Sequence, residues 1–123
     1  MEASPRPEVI VDLDFDRGLL FLVVRNIGDR PALDVRTTFN RKLVGLGGRK
    51  DVSALPLFRN IPFLAPGREI RTILDSAASW FARRRATKIT ARVAYRDGDG
   101  TDFRGTMSHD LEIYRELAYV RED

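Results

Sequence analysis

The chain has 123 residues, no cysteine, and 21 Lys+Arg against 18 Asp+Glu, for a formal charge of +3. That length suits one domain, able to bury roughly two-thirds of the surface its unfolded chain exposes. The missing thiols exclude disulfides, thiolate nucleophiles and cysteine-based zinc sites, and they suit a reducing compartment such as the cytoplasm.

The opening "MEASPRPEVIVDLD" lacks a basic region followed by an apolar core, so no signal peptide is expected. The longest apolar run, Leu19 to Val24, is far short of a bilayer span. The expectation is a soluble domain without a membrane segment, whole or cut from something larger.

Residues 1–7 read as a flexible leader. In "VIVDLDFD", Val9, Val11, Leu13 and Phe15 share one parity and Asp12, Asp14 and Asp16 the other, the pattern of a half-buried strand. "DRG" turns the chain into a second strand, "LLFLVVR", where alternation fails. Counting back from Asn26 puts Leu20, Leu22 and Val24 inward and leaves Leu19, Phe21 and Val23 as a candidate interaction face. Left bare, such a patch promotes aggregation. Trp80 and Phe81 from a short helix, Leu117 and Val120 from the tail, or a second copy of the chain in a homodimer could cover it; the homodimer is preferred.

"NIGDRP" then raises a choice between a phosphate loop and a corner. A phosphate loop needs a helix after its glycine, but the strand pattern "ALDVRTTF" follows, with Leu33, Val35, Thr37 and Phe39 expected inward. Asn26, Gly28 and Pro31 are therefore read as a structural corner, with Gly28 at positive φ and Asn26 bonded within its own turn.

Residues 40–57 read as irregular; "GLGG" lacks the third glycine of a dinucleotide motif. "LFRNIPFLAPG" reads as a short strand ending at a Pro66–Gly67 turn, and "REIRTIL" as another strand. "DSAASWFARRR" offers one short helix capped by Asp75 or Ser76. "TKITARVAYRD" puts Ile89, Ala91, Val93 and Tyr95 inward, "DGDG" signals a hairpin, and "TDFRGTMSHDLEIY" returns as the last strand, with Gly105 as a potential break. The result is an all-β fold over residues 8–116, an antiparallel β-sandwich of about seven strands with one short helix, followed by a C-terminal tail at 117–123.

The order L-x-V-x-N-x-G-x-x-P-A-x-x-V (Leu22–Val35), "LAPG" (Leu64–Gly67) and "YRDGDG" (Tyr95–Gly100) resembles immunoglobulin-like β-sandwich domains of uncharacterised bacterial and archaeal proteins. It is similar to the bacterial cell-adhesion-related domain. The resemblance implies an immunoglobulin-like sandwich; its motifs are turn and core signals, not catalytic ones.

Constellations that could carry chemistry fall short. Ser108, His109 and Asp110 are adjacent in a strand, so their side chains cannot converge as a triad. Asp12 and Asp14 stand about 7 Å apart on one face, a spacing that glycosidic carboxylates use, but a charged strand accounts for them. Asp97, Asp99 and Asp102 lack the closing glutamate of a calcium loop. No catalytic, cofactor-binding or metal site is assigned, and no enzyme is expected. A basic face remains: the outward positions of the third strand and the last two include Arg36, Arg92, Arg96 and Arg104 with Lys88, broken by Asp34 and Asp102. Arg83, Arg84 and Arg85 could extend it at one end.

The expected function is a non-catalytic interaction or structural module that binds another protein or itself. The alternative is polyanion or nucleic-acid binding through the arginines, disfavoured for nucleic acid because those strands present no outward aromatic for stacking.

Overall fold

A computed structural model describes residues 5–117. Two antiparallel sheets pack face to face. One has three strands in the order β1 (Val9–Asp16), β2 (Leu19–Asn26) and β7 (Glu69–Ser76). The other has four, in the order β6 (Ile61–Leu64), β3 (Ala32–Phe39), β8 (Lys88–Arg96) and β9 (Asp102–Asp110). A two-residue pair, β4 (Val44–Gly45) and β5 (Lys50–Asp51), lies in the stretch read as irregular. The fold is the all-β sandwich expected from the alternation pattern.

Turn chemistry sets the hairpins. Arg17 and Gly18 have φ of 52° and 80°, which matches the right-handed twist of β1 and β2. Gly67 has φ 78° after Pro66, and Arg68 N–H donates to the Ala65 carbonyl at 3.0 Å. Gly100, at φ 84°, closes the β8–β9 turn, and β9 runs unbroken through Gly105.

The inward residues interdigitate as one core. Val11, Leu13, Val35, Ile89, Ala91, Val93 and Tyr95 are all buried, as their parity dictates. The third strand departs from its expected pattern. Asp34 sits at φ 51° and the β3–β8 register shifts between Leu33 and Arg36. This bulge swaps the parity upstream of it, so Ala32 is buried while Leu33 turns outward, half-buried, beside Phe63 of β6.

Among the described residues there are two short α-helices, not one: α1 (Pro56–Arg59) and α2 (Ala77–Ala82). In α1, Pro56 takes the first helical position, where its missing N–H costs nothing. The segment read as one strand from Leu57 thus begins with a helical turn that buries Phe58 against Phe39, ring centroids 5.1 Å apart. In α2, the Ser76 hydroxyl caps by accepting from Ser79 N–H at 3.1 Å. Trp80 and Phe81 enter the core from α2, and the Trp80 indole N–H donates to the Ala86 carbonyl.

The free edge of β1, which pairs only with β2, is met by side chains from β9 of the opposite sheet and from the helical turn that follows it. Val11 N–H donates to Met107 Sδ, Val11 carbonyl pairs with His109 Nε2 at 2.8 Å, and Tyr114 O–H donates to Leu13 carbonyl at 3.3 Å. Burial first, then Asp12 and Asp14, pushes the Tyr114 phenol above its ordinary range. The lone histidine is a structural brace between the sheets.

Candidate functional site

The corner around Asn26 is a densely hydrogen-bonded polar site. Asn26 is fully buried, and its amide uses its full hydrogen-bonding capacity. Its oxygen accepts from Gly28 N–H at 2.9 Å and Glu8 N–H at 3.1 Å. Its nitrogen donates to Arg30 carbonyl at 2.8 Å and Leu64 carbonyl at 3.1 Å. One side chain thereby ties the residue before β1, its own turn and β6 together, joining both sheets.

Gly28 serves the corner for a different reason than expected. Its φ is not positive; a Cβ there would run into the Arg6 carbonyl and lie 2.5 Å from Glu8 nitrogen. Arg6 and Pro7, read as part of a flexible leader, are held against this turn. Arg6 N–H donates to Asp29 Oδ1 at 2.8 Å, Asp29 N–H donates back to Arg6 carbonyl at 3.1 Å, and Pro7 is buried.

The outer face of the three-stranded sheet is covered by the chain's own charged side chains. Val23 is only 1% exposed, flanked in register by Asp12 and Arg71. The Arg71 guanidinium lies 4.0 Å from the Phe21 ring centroid and 3.6 Å from Asp14. Arg25 pairs with Glu69 at 2.6 Å. Leu19 and Phe21 are half-buried. Trp80 and Phe81 point into the core instead of over Phe21, Leu117 is exposed, and Val120 lies outside the described residues.

The outer face of the four-stranded sheet behaves otherwise. Arg36 on β3 and Arg104 on β9 both pair in register with Ala94 on β8. Arg92, two residues along β8, sits between Thr38 and Thr106. The strand spacing puts the Arg36 and Arg104 backbones about 10 Å apart with a methyl group between them. A shallow depression forms, lined by these arginines and threonines over Ala94. None of the three arginines is in an ion pair among the described residues.

Two arginines counted for this face are engaged elsewhere. Arg96 grips the Asp34 carboxylate at 2.6 and 2.8 Å, and that hydrogen bond holds Asp34 below its usual range. Arg83 turns away to buried Asp75 and the Val44 carbonyl. Asp75 also accepts from Gly47 N–H at 3.1 Å, so this pair, buried at its Asp75 end, anchors the β4–β5 hairpin.

The remaining candidates have local partners. Asp97 accepts from Asp99 and Thr101 N–H, both at 2.9 Å, within its own turn. Asp12 and Asp14 accept from the N–H groups that follow them, while Ser108 meets Thr90 on the opposite face from His109. No group of three or more acidic, histidine or cysteine side chains that could hold a metal occurs among the described residues. Sequence reasoning missed Phe63, 59% exposed at the edge of the arginine-bearing sheet. In β6 the terminal Ile61 and Leu64 are buried while Pro62 and Phe63 between them are exposed, a spacing that the two-residue period does not signal.

Fold and face together define a compact β-sandwich domain with a basic sheet surface. The chain belongs to the family described as a domain of unknown function (DUF8453), which matches residues 1–115. None of the curated proteins compared with it matches. No helix among the described residues is long and apolar enough to cross a membrane.

Proposed function

We propose that this domain is a non-catalytic interaction module that binds an acidic protein segment along the outer face of the four-stranded sheet. One observation carries the reading: Arg36, Arg92 and Arg104 surround a depression, and no carboxylate among the described residues is in an ion pair with them. Flat sheet surfaces with small central residues accept an extended chain, and unpaired guanidinium groups select carboxylates. The three-over-four strand order and the corner motif support an immunoglobulin-like assignment, a scaffold used widely for binding.

An acidic protein is favoured over nucleic acid by what surrounds Phe63, the one exposed aromatic among the described residues. Phe63 shares its row with Leu33, Arg96 and Asp102. Asp97 and Asp99 line the adjoining depression with Arg30, so a phosphate backbone stacked at Phe63 would meet two carboxylates against one guanidinium. Self-association through Leu19, Phe21 and Val23 is the lesser reading, because Arg71 and its neighbours already cover that face.

Titration with polyglutamate and with an oligothymidylate of equal charge tests the proposal. Polyglutamate should bind, weaken with salt, and lose roughly tenfold in affinity when Arg36, Arg92 and Arg104 become serine. Tighter binding of the oligonucleotide, or equal binding by the triple variant, overturns it.

A further inference from the structure

A second basic site lies beyond the end of the arginine face, built by the backbone after α2. Arg84 N–H donates to Phe81 carbonyl and Arg85 N–H to Trp80 carbonyl, the paired bonds of a helix that ends in a left-handed residue. Glycine usually holds that position; here Arg84 does, at φ 54°. The bend brings Arg84 and Arg85 up to Arg41 and Lys42, which follow β3, and the four line a pocket with Trp80 and Ala86.

No carboxylate lines this pocket among the described residues, and none of its four cations is in an ion pair. Asp51 is the carboxylate that feels Lys42, but its oxygen is engaged by Ser53 and Leu43 N–H. The Arg85 guanidinium lies 5.9 Å from the Trp80 ring, and its Nε–H is shielded from solvent with no acceptor. Four like charges gathered around one cavity repel one another until an anion enters.

We infer that this pocket binds a phosphomonoester dianion, the phosphorylated side chain of an acidic segment lying along the arginine face. The placement is continuous: Thr38 and Arg92 of the face also line a small cleft with Asn40, the residue before Arg41. A monoester fits better than a phosphodiester because its two charges suit four cations and it enters as a chain end, with Trp80 closing one side. The identity of the ester rests on the acidic-segment reading above; the pocket itself does not.

Trp80 is the only tryptophan and reports on the pocket directly. Its emission should change saturably with inorganic phosphate and with phenyl phosphate, but not with dimethyl phosphate or with sodium chloride at matched ionic strength. Arg84→Gly should weaken phenyl phosphate binding by at least about fivefold without unfolding, because glycine suits the left-handed position. The Arg36, Arg92 and Arg104 serine variant should keep phosphate binding. Absence of a saturable response, an equal response to dimethyl phosphate, or no effect of Arg84→Gly overturns the inference. Polyglutamate binding that survives such a result leaves the sheet-face reading standing; phosphate binding without polyglutamate binding removes that reading and keeps the pocket.

Discussion

The Asn26 corner and the arginine face are opposite solutions to the placement of polar groups. At the corner, every donor and acceptor of one buried amide is used, and the neighbouring backbone is wedged against a residue with no side chain. On the face, three guanidinium groups stand at the surface with no ion-pair or hydrogen-bond partner among the described residues, Arg36 alone feeling the nearby Asp34 carboxylate. A polar group that is satisfied internally holds the fold; one left unsatisfied in solvent costs the fold little and is available to something else. The contrast separates stability from binding, residue by residue.

Asn26→Ala should break the corner. It strands the buried Leu64 carbonyl and part-buried backbone groups of Glu8, Gly28 and Arg30, and chemical denaturation should show a loss of about 3 kcal/mol, most of it from the group that water cannot reach. Gly28→Ala is next, at about 2 kcal/mol, because the added methyl must displace backbone of residues 6–8 and cannot be absorbed by a rotamer change. A neutral Gly28→Ala would mean that this segment moves freely. Arg71→Ala should cost about 1 kcal/mol in thermal melts, by uncovering Phe21 and Val23 without altering the arginine face.

The smallest stability changes belong to the face itself. Serine at Arg36, Arg92 and Arg104 should each shift stability by no more than about 0.5 kcal/mol, and a larger loss would break the comparison. Asp34→Asn sharpens it from the other direction. It releases Arg96 into the face at a left-handed position that asparagine tolerates, and it should raise polyglutamate affinity roughly two- to fivefold, the weight of one exposed charge pair.

The core was legible in the sequence where alternation was clean. β1 and β8 keep strict two-residue parity, and every inward residue expected from β8 is buried. The corner residues were legible as turn formers, but not their reasons. Gly28 is demanded by a segment that arrives from residues 6–8, and local pattern carries no trace of that approach. Leu33 was misplaced because the bulge depends on Asp34 adopting a left-handed φ, which non-glycine residues rarely signal. On the basic face, Arg36, Arg92 and Arg104 could be counted from parity alone. That Arg96 and Arg83 were already engaged needed Asp34 and Asp75 in three dimensions. Arg71 shielding Phe21 likewise joins residues from strands far apart in sequence.

The three side chains along β1 have a consequence for how copies of this domain behave at high concentration. An unpaired strand margin is a template on which a neighbour's strand can grow, the first step of strand exchange and fibril formation. Here the Val11 N–H and the Val11 and Leu13 carbonyls are occupied by Met107, His109 and Tyr114, so that margin has fewer free groups to offer an incoming chain. Oxidation of Met107 would replace a weak sulfur acceptor with a polar sulfoxide in a place fitted to a thioether. The resistance of this sandwich to self-templating is therefore tied to the redox state of one methionine.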